Sequence, residues 1–147
     1  MSKLIRWETP FTDKRYPSVG LLVSPRPNRT DSLTAVVAPD GLDTYPKYLV
    51  NFGDVIAFTC MEEAFHPELH PDAKVFDEPG LSAYQYLESD WLKAYENGVH
   101  FVAGGHLGPF YHYAIFGADN NVEVITPTVP TVDRIDEKKL LVIECEV

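Results

Sequence analysis

Apolar and polar residues alternate most regularly from His112 to Thr126, HYAIFGADNNVEVIT. Two alternating runs flank Gly117-Ala118-Asp119-Asn120-Asn121, residues that tolerate the backbone angles of a tight turn. With Asp119 and Asn120 at the tip, Gly117 faces Val122, Phe116 faces Glu123, Ile115 faces Val124 and Tyr113 faces Thr126. Tyr113, Ile115, Val122 and Val124 then share one side, as burial of a single sheet face requires. His112 falls on the opposite side, beside Ala114 and Phe116.

The same pattern predicts further strands. Ser18–Val23 and Leu33–Ala38 read as a hairpin with a long polar loop, SPRPNRTDS, between them. Tyr48–Phe52 and Val55–Met61 read as a second hairpin closed by Gly53-Asp54, where a leading glycine suits a type II′ turn. Both faces of that hairpin are apolar, which predicts cover on each side. Ala83–Leu87 alternates weakly as a strand, and Leu140–Val147 reads as an edge strand with Glu144 and Glu146 outward. Residues 1–17 read as irregular, with Trp7 and Phe11 pinning them to the body, and Pro127–Lys139 reads as polar loop.

One helix is expected. Ser89 is a good N-cap, Asp90 suits the first turn, Trp91, Leu92 and Tyr95 form an apolar stripe, and Asn97-Gly98 ends it. From Glu62 to Pro79 three prolines forbid a long helix, so an extended surface loop is expected. Together these elements predict one α+β domain over residues 1–147. Its antiparallel β-sheet has about six or seven strands built from hairpins, with one short helix and long loops.

The 45% hydrophobic and 12% aromatic content is enough for a core, and 147 residues bury roughly 70% of the unfolded surface. No apolar run reaches the ~20 residues that cross a bilayer, and MSKLIRWETPF lacks the apolar segment of a secretory signal. The expected location is cytoplasmic, with Cys60 and Cys145 as buried reduced thiols.

Charge changes the picture. The net charge is −10, and the first 29 residues hold six basic and two acidic side chains, +4, while the rest hold six basic and twenty acidic, −14. Such a surface repels a phosphate backbone and so disfavours nucleic acid; it favours a basic protein partner or serves solubility alone. The densest acidic stretch holds Glu62, Glu63, Glu68, Asp72, Asp77 and Glu78, which are the candidate partner-binding residues.

Metal chemistry has its weak candidates in the same stretch, His66 and His70. Pro67 and Pro71 follow them directly and push both out of helical geometry, so their four-residue spacing does not put them on one helix face. Gly104-Gly105-His106 could bring backbone close to a ligand, but it matches no phosphate or dinucleotide loop. No Gly-x-Ser-x-Gly elbow occurs, and the cysteines lie among apolar neighbours that oppose thiolate formation. No catalytic residue and no cofactor is assigned.

Ser89-Asp90-Trp91-Leu92, His112-Tyr113 and Asp119 through Ile125 resemble a loosely defined group of small bacterial proteins of the immunity-protein type. That resemblance covers about a quarter of the chain and implies no site residues. The expected function is a non-enzymatic acidic protein-binding factor of immunity or accessory type. The alternative is a small-ligand or metal-binding domain, with or without catalysis, using His66, His70, His106 or His112. A homo-oligomer burying its apolar hairpin faces is a third expectation.

Overall fold

A computed structural model of the chain describes residues 2–24, 32–62, 74–94 and 109–137. The strands are β1 (Ser2–Arg6), β2 (Ser18–Ser24), β3 (Ser32–Ala38), β4 (Lys47–Asp54), β5 (Ala57–Glu62), β6 (Lys74–Phe76), β7 (Ala83–Glu88), β8 (Tyr111–Phe116), β9 (Asn120–Thr126) and β10 (Thr131–Ile135). They form two sheets, one of six strands in the order β5-β9-β8-β7-β1-β6 and one of four in the order β10-β4-β3-β2. All pairings are antiparallel except β1 with β6. The mostly antiparallel character and the short helix match expectation. The strand count does not: among the described residues β1, β6 and β10 arise where irregular chain was expected.

The β8–β9 hairpin is present, but its register is two residues tighter than expected: Phe116 pairs with Asn121, Ile115 with Val122 and Tyr113 with Val124. Gly117 N–H donates to the Asn120 carbonyl at 2.9 Å and closes the turn around Ala118-Asp119. A slip of two, unlike a slip of one, leaves every side chain on its own face. Tyr113, Ile115, Val122 and Val124 are therefore buried together as the alternation required. The β2–β3 hairpin also forms, from Ser18 opposite Ala38 to Ser24 opposite Ser32.

The second expected hairpin does not exist. β4 pairs with β3 and β10 in the four-stranded sheet, whereas β5 pairs with β9 in the other. Gly53, at φ +70°, marks a bulge rather than a turn: Leu33 faces Gly53 but Thr34 faces Asn51, so Phe52 drops out of the ladder. The Phe52 carbonyl is satisfied instead by the Thr126 hydroxyl at 2.8 Å and the Thr128 hydroxyl at 3.0 Å, tying the two sheets together. Val55 then buries and Ile56 N–H joins the Ile125 carbonyl at 2.9 Å, starting the new sheet.

Three strands arise where irregular chain was expected. β1 lies inside the six-stranded sheet between β7 and β6, with Leu4 fully buried, although its short alternation is masked by Lys3 and Arg6. β10 lines the edge of the four-stranded sheet through Val132 and Ile135, flanked by charges. Within Glu62–Pro79, residues 63–73 lie outside the described residues, while 74–76 form β6 rather than loop. The expected strand Leu140–Val147 and the loop at 104–109 also fall mainly outside them.

Between the sheets lies a closed core: Leu33, Ala35 and Val37 of β3 and Tyr48, Val50 and Phe52 of β4 meet Tyr113, Ile115, Val122 and Val124. Each large apolar side chain buried this way contributes about 1.5–3 kcal/mol. Trp7 and Phe11 do pin the first segment here. Their rings stand edge-on at 6.5 Å, and Trp7 leans on Tyr113 at 4.7 Å. The turn between them is self-bonded, with the Thr9 N–H donating to Thr12 Oγ1 at 2.9 Å and the Thr12 hydroxyl to the Trp7 carbonyl at 2.5 Å.

Candidate functional site

The inner face of the six-stranded sheet is spent on the core, so any site on this sheet must use its outer face. Strand parity places Tyr84 and Tyr86 of β7, His112, Ala114 and Phe116 of β8, and Asn121, Glu123 and Ile125 of β9 on that outer side. One half of it carries a buried polar cluster and the other a cavity.

The polar cluster begins at Ser89, directly after β7, where the helix over residues 90–94 starts. Ser89 caps that helix as expected: its Oγ accepts the Leu92 N–H at 3.0 Å, and its carbonyl accepts the Lys93 N–H at 3.0 Å. The same Oγ lies 2.7 Å from His112 Nδ1. On the other side of the ring, His112 Nε2 lies 3.4 Å from Glu123 Oε1, and that carboxylate accepts a very short hydrogen bond from the Tyr86 hydroxyl. Tyr86 stacks flat on the imidazole at 3.7 Å, and Trp91 meets it edge-on at 5.1 Å. All four polar residues are buried. Burial and the neighbouring Glu123 charge hold the Tyr86 phenol well above its ordinary range.

Serine, histidine and glutamate are the residue types of a nucleophilic triad. Here, however, the serine oxygen is engaged at once by a helix N–H and by the imidazole, inside the fold. That makes Ser89 a cap and a tie. The cluster works as a lock that fixes β7, β8, β9 and the helix to one another.

The cavity, about 420 Å³, opens beyond Ala114, two residues along the strands from this cluster. Tyr84 and Phe116 floor it with Asn121, and Phe76, Leu81, Arg15 and Tyr16 rise around it. Three rim segments are cross-tied. The Tyr84 hydroxyl donates to the Glu78 carbonyl and accepts the Leu81 N–H, both at 2.9 Å, fixing the segment after β6. Ser82 N–H donates to the Thr12 carbonyl at 3.0 Å and Ser82 Oγ to the Phe11 carbonyl at 2.8 Å. Ala118 N–H donates to the Pro17 carbonyl at 2.8 Å, bringing the hairpin turn against the third rim. Tyr16 sits on that rim at φ 57°, a left-handed conformation uncommon outside glycine, and is 65% exposed.

The sequence-predicted residues fall apart in space. Glu62 ends β5 at one edge of the six-stranded sheet, while Asp77 and Glu78 follow β6 at the other, roughly 24 Å away at ~4.8 Å per strand. Asp77 lies 3.9 Å from Lys3 and Glu78 3.5 Å from Arg6. Part of the acidic excess thus answers the basic first segment of the same chain. Arg6 is also bonded to Glu8 and Asp13, which it holds below the usual carboxylate range. Glu63, Glu68, Asp72, His66, His70 and His106 lie outside the described residues. His112 is the histidine candidate that the described structure places, and it is buried rather than open to a ligand. Among the described residues no three of His, Cys, Asp and Glu converge as a metal site. Cys60, expected to be buried, is exposed on edge strand β5, although partial desolvation still raises its thiol.

Arg15, Tyr16, Tyr86, Asn121 and Glu123 were not anticipated as site residues. Parity alone signals one pairing: His112 and Glu123 share the side of the hairpin that the apolar residues leave. Nothing in the sequence links Arg15 to Asn121. Compared with known proteins, the chain matches no family model, no curated protein and no solved structure. No helix among the described residues is long and apolar enough to cross a membrane.

Proposed function

We propose that this chain is a small-molecule-binding domain whose site is the cavity on the outer face of the six-stranded sheet. The observation that carries the reading is Asn121. It is 5% exposed and lines the cavity, yet no described residue hydrogen-bonds its side-chain amide. An amide that keeps accessible surface toward a preformed, aromatic-walled hollow is a recognition group for a ligand. The cross-tied rims keep the hollow open, which lowers the ordering cost of binding. The buried Ser89–His112–Glu123–Tyr86 cluster serves this function indirectly, by holding the strands that floor the site.

The test is a fragment titration of isotope-labelled protein. Small planar compounds should shift the Asn121 side-chain amide and the backbone amides of Phe116 and Gly117 together. A library that moves none of these signals overturns the reading.

A second reading is a non-enzymatic acidic factor that captures a basic protein, as the immunity-type resemblance implies. What supports it is the net charge of −10 and the exposed Glu62, which makes no ion pair among the described residues. Reversal of Glu62, Glu63, Glu68, Asp77 and Glu78 to Lys should then abolish capture of a cationic partner, and unchanged recovery rejects it.

A further inference from the structure

Resting on the cavity reading above, we infer that the ligand is a planar aromatic ring carrying a single anionic group, held by Arg15.

Arg15 stands apart from the other arginines of the described structure. Arg6 is bound to Glu8 and Asp13, and Arg134 donates to Asp136 at 2.5 Å. Lys3 and Lys14 likewise sit beside Asp77 and Asp40. Arg15 has no carboxylate within ion-pairing distance among the described residues, in a chain that carries ten more acids than bases. A cation left without an ion pair on so acidic a protein, at the mouth of a hollow, is positioned for an anion brought from outside.

Its guanidinium packs against Gly80. A Cβ there would come 3.0 Å from an Arg15 guanidinium nitrogen, and the backbone at φ +86° strains any side chain but glycine's. The guanidinium, on an exposed side chain, thus reaches across the rim over Gly80, with its planar donors available for a carboxylate.

The walls select the rest of the ligand. Phe76, Tyr84 and Phe116 form an aromatic corner, with centroids 5.0 Å, 5.6 Å and 6.3 Å apart in tilted or edge-on pairs. Such a corner takes a flat ring better than a flexible chain. Tyr84 is only 1% exposed and spends its hydroxyl on the rim backbone, so it backs the ring surface that Phe76 and Phe116 present to the ligand. Arg15 for charge and Asn121 for one further hydrogen bond are the polar groups left to it. At about 420 Å³ the hollow is near the lower end of known ligand sites, roughly 300–1,000 Å³, and too small for a dinucleotide. One cation, one amide and an aromatic corner describe a mono-anionic aromatic acid.

The experiment titrates the full chain with three probes: 2-naphthoate, the neutral 2-naphthamide and the non-aromatic cyclohexanecarboxylate. Naphthoate should bind with shifts at Phe116, Gly117 and Asn121, and the other two about tenfold more weakly or worse. Arg15→Gln, an exposed change with its fold checked by an unaltered melting curve, should bring naphthoate down to the level of naphthamide. Equal binding of acid and amide, with Arg15→Gln unchanged, overturns the anionic class while the cavity reading stands. Failure of all three probes where other planar fragments still shift Asn121 also overturns it. Failure of every fragment removes the proposed function itself.

Discussion

Ser89 Oγ and His112 Nδ1 lie 2.7 Å apart, so one hydroxyl both starts the helix and anchors the imidazole at the centre of the outer sheet face. Ser89→Ala removes the cap and the tie together. The expected loss is about 2 kcal/mol of unfolding free energy, measured by denaturant titration. The dispersion of the Trp91 signal should change with it, because Trp91 packs on the same ring.

Glu123 joins Tyr86 to His112 in a place that excludes water. Glu123→Ala should cost about 2–6 kcal/mol, because it leaves both the Tyr86 hydroxyl and the imidazole without a buried partner at about 1–3 kcal/mol each. Glu123→Gln, which keeps the shape and one hydrogen bond, should cost about 1–3 kcal/mol. Equilibrium unfolding of the two variants side by side checks the order, and equal losses would contradict it.

Alkaline pH should unfold this protein through its phenols. Tyr86 has its folded pKa raised above the ordinary value of 10.0 by burial and by Glu123, and burial raises Tyr84 and Tyr113 in the same direction. The unfolded chain then loses protons that the folded chain keeps. Stability is intact below pH 10 and falls as pH rises above it, by up to about 1.4 kcal/mol per pH unit for each such group. Denaturation midpoints at pH 9, 10 and 11 should show this, with a shallower decline in Tyr86→Phe.

Two glycines give a contrast. A Cβ at Gly117 would meet the Pro17 carbonyl at 2.7 Å, the Asn120 carbonyl at 2.8 Å and Val19 Cγ2 at 2.8 Å, whereas one at Gly20 meets nothing within 4 Å. Gly117→Ala should therefore cost about 1–3 kcal/mol as an overpacked site. Gly20→Ala should leave the melting temperature essentially unchanged. Thermal melts of the pair decide the matter.

Local signals were legible in the sequence. Alternation picked out β2, β3, β7, β8 and β9, and Ser89 announced its helix. Partner choice between strands was not legible, because it depends on neighbours far along the chain. Gly53-Asp54 carries the composition of a hairpin turn, and only the company of Leu33 and Thr126 makes it a bulge and a crossing instead. β1 hid because Lys3 and Arg6 interrupt its alternation, one on each face, and its burial comes from flanking strands some seventy residues later. Of the buried cluster, Ser89 was legible as a cap and His112 as a candidate, while no residue lining the cavity was read as a site residue. Arg15 and Asn121 line one hollow because the turn after β8 docks on Pro17, a contact that no periodicity encodes.

At Val55-Ile56 the backbone passes from one layer of the sandwich to the other, and β10 later returns to the first layer. A break at this joint leaves the leading piece with three strands of one layer and a single strand of the other, and the trailing piece with the complement. Neither piece owns a finished wall. Split there and expressed as two polypeptides, the protein should gain its fold only on recombination, and so could serve as a reporter of proximity between whatever is fused to the halves.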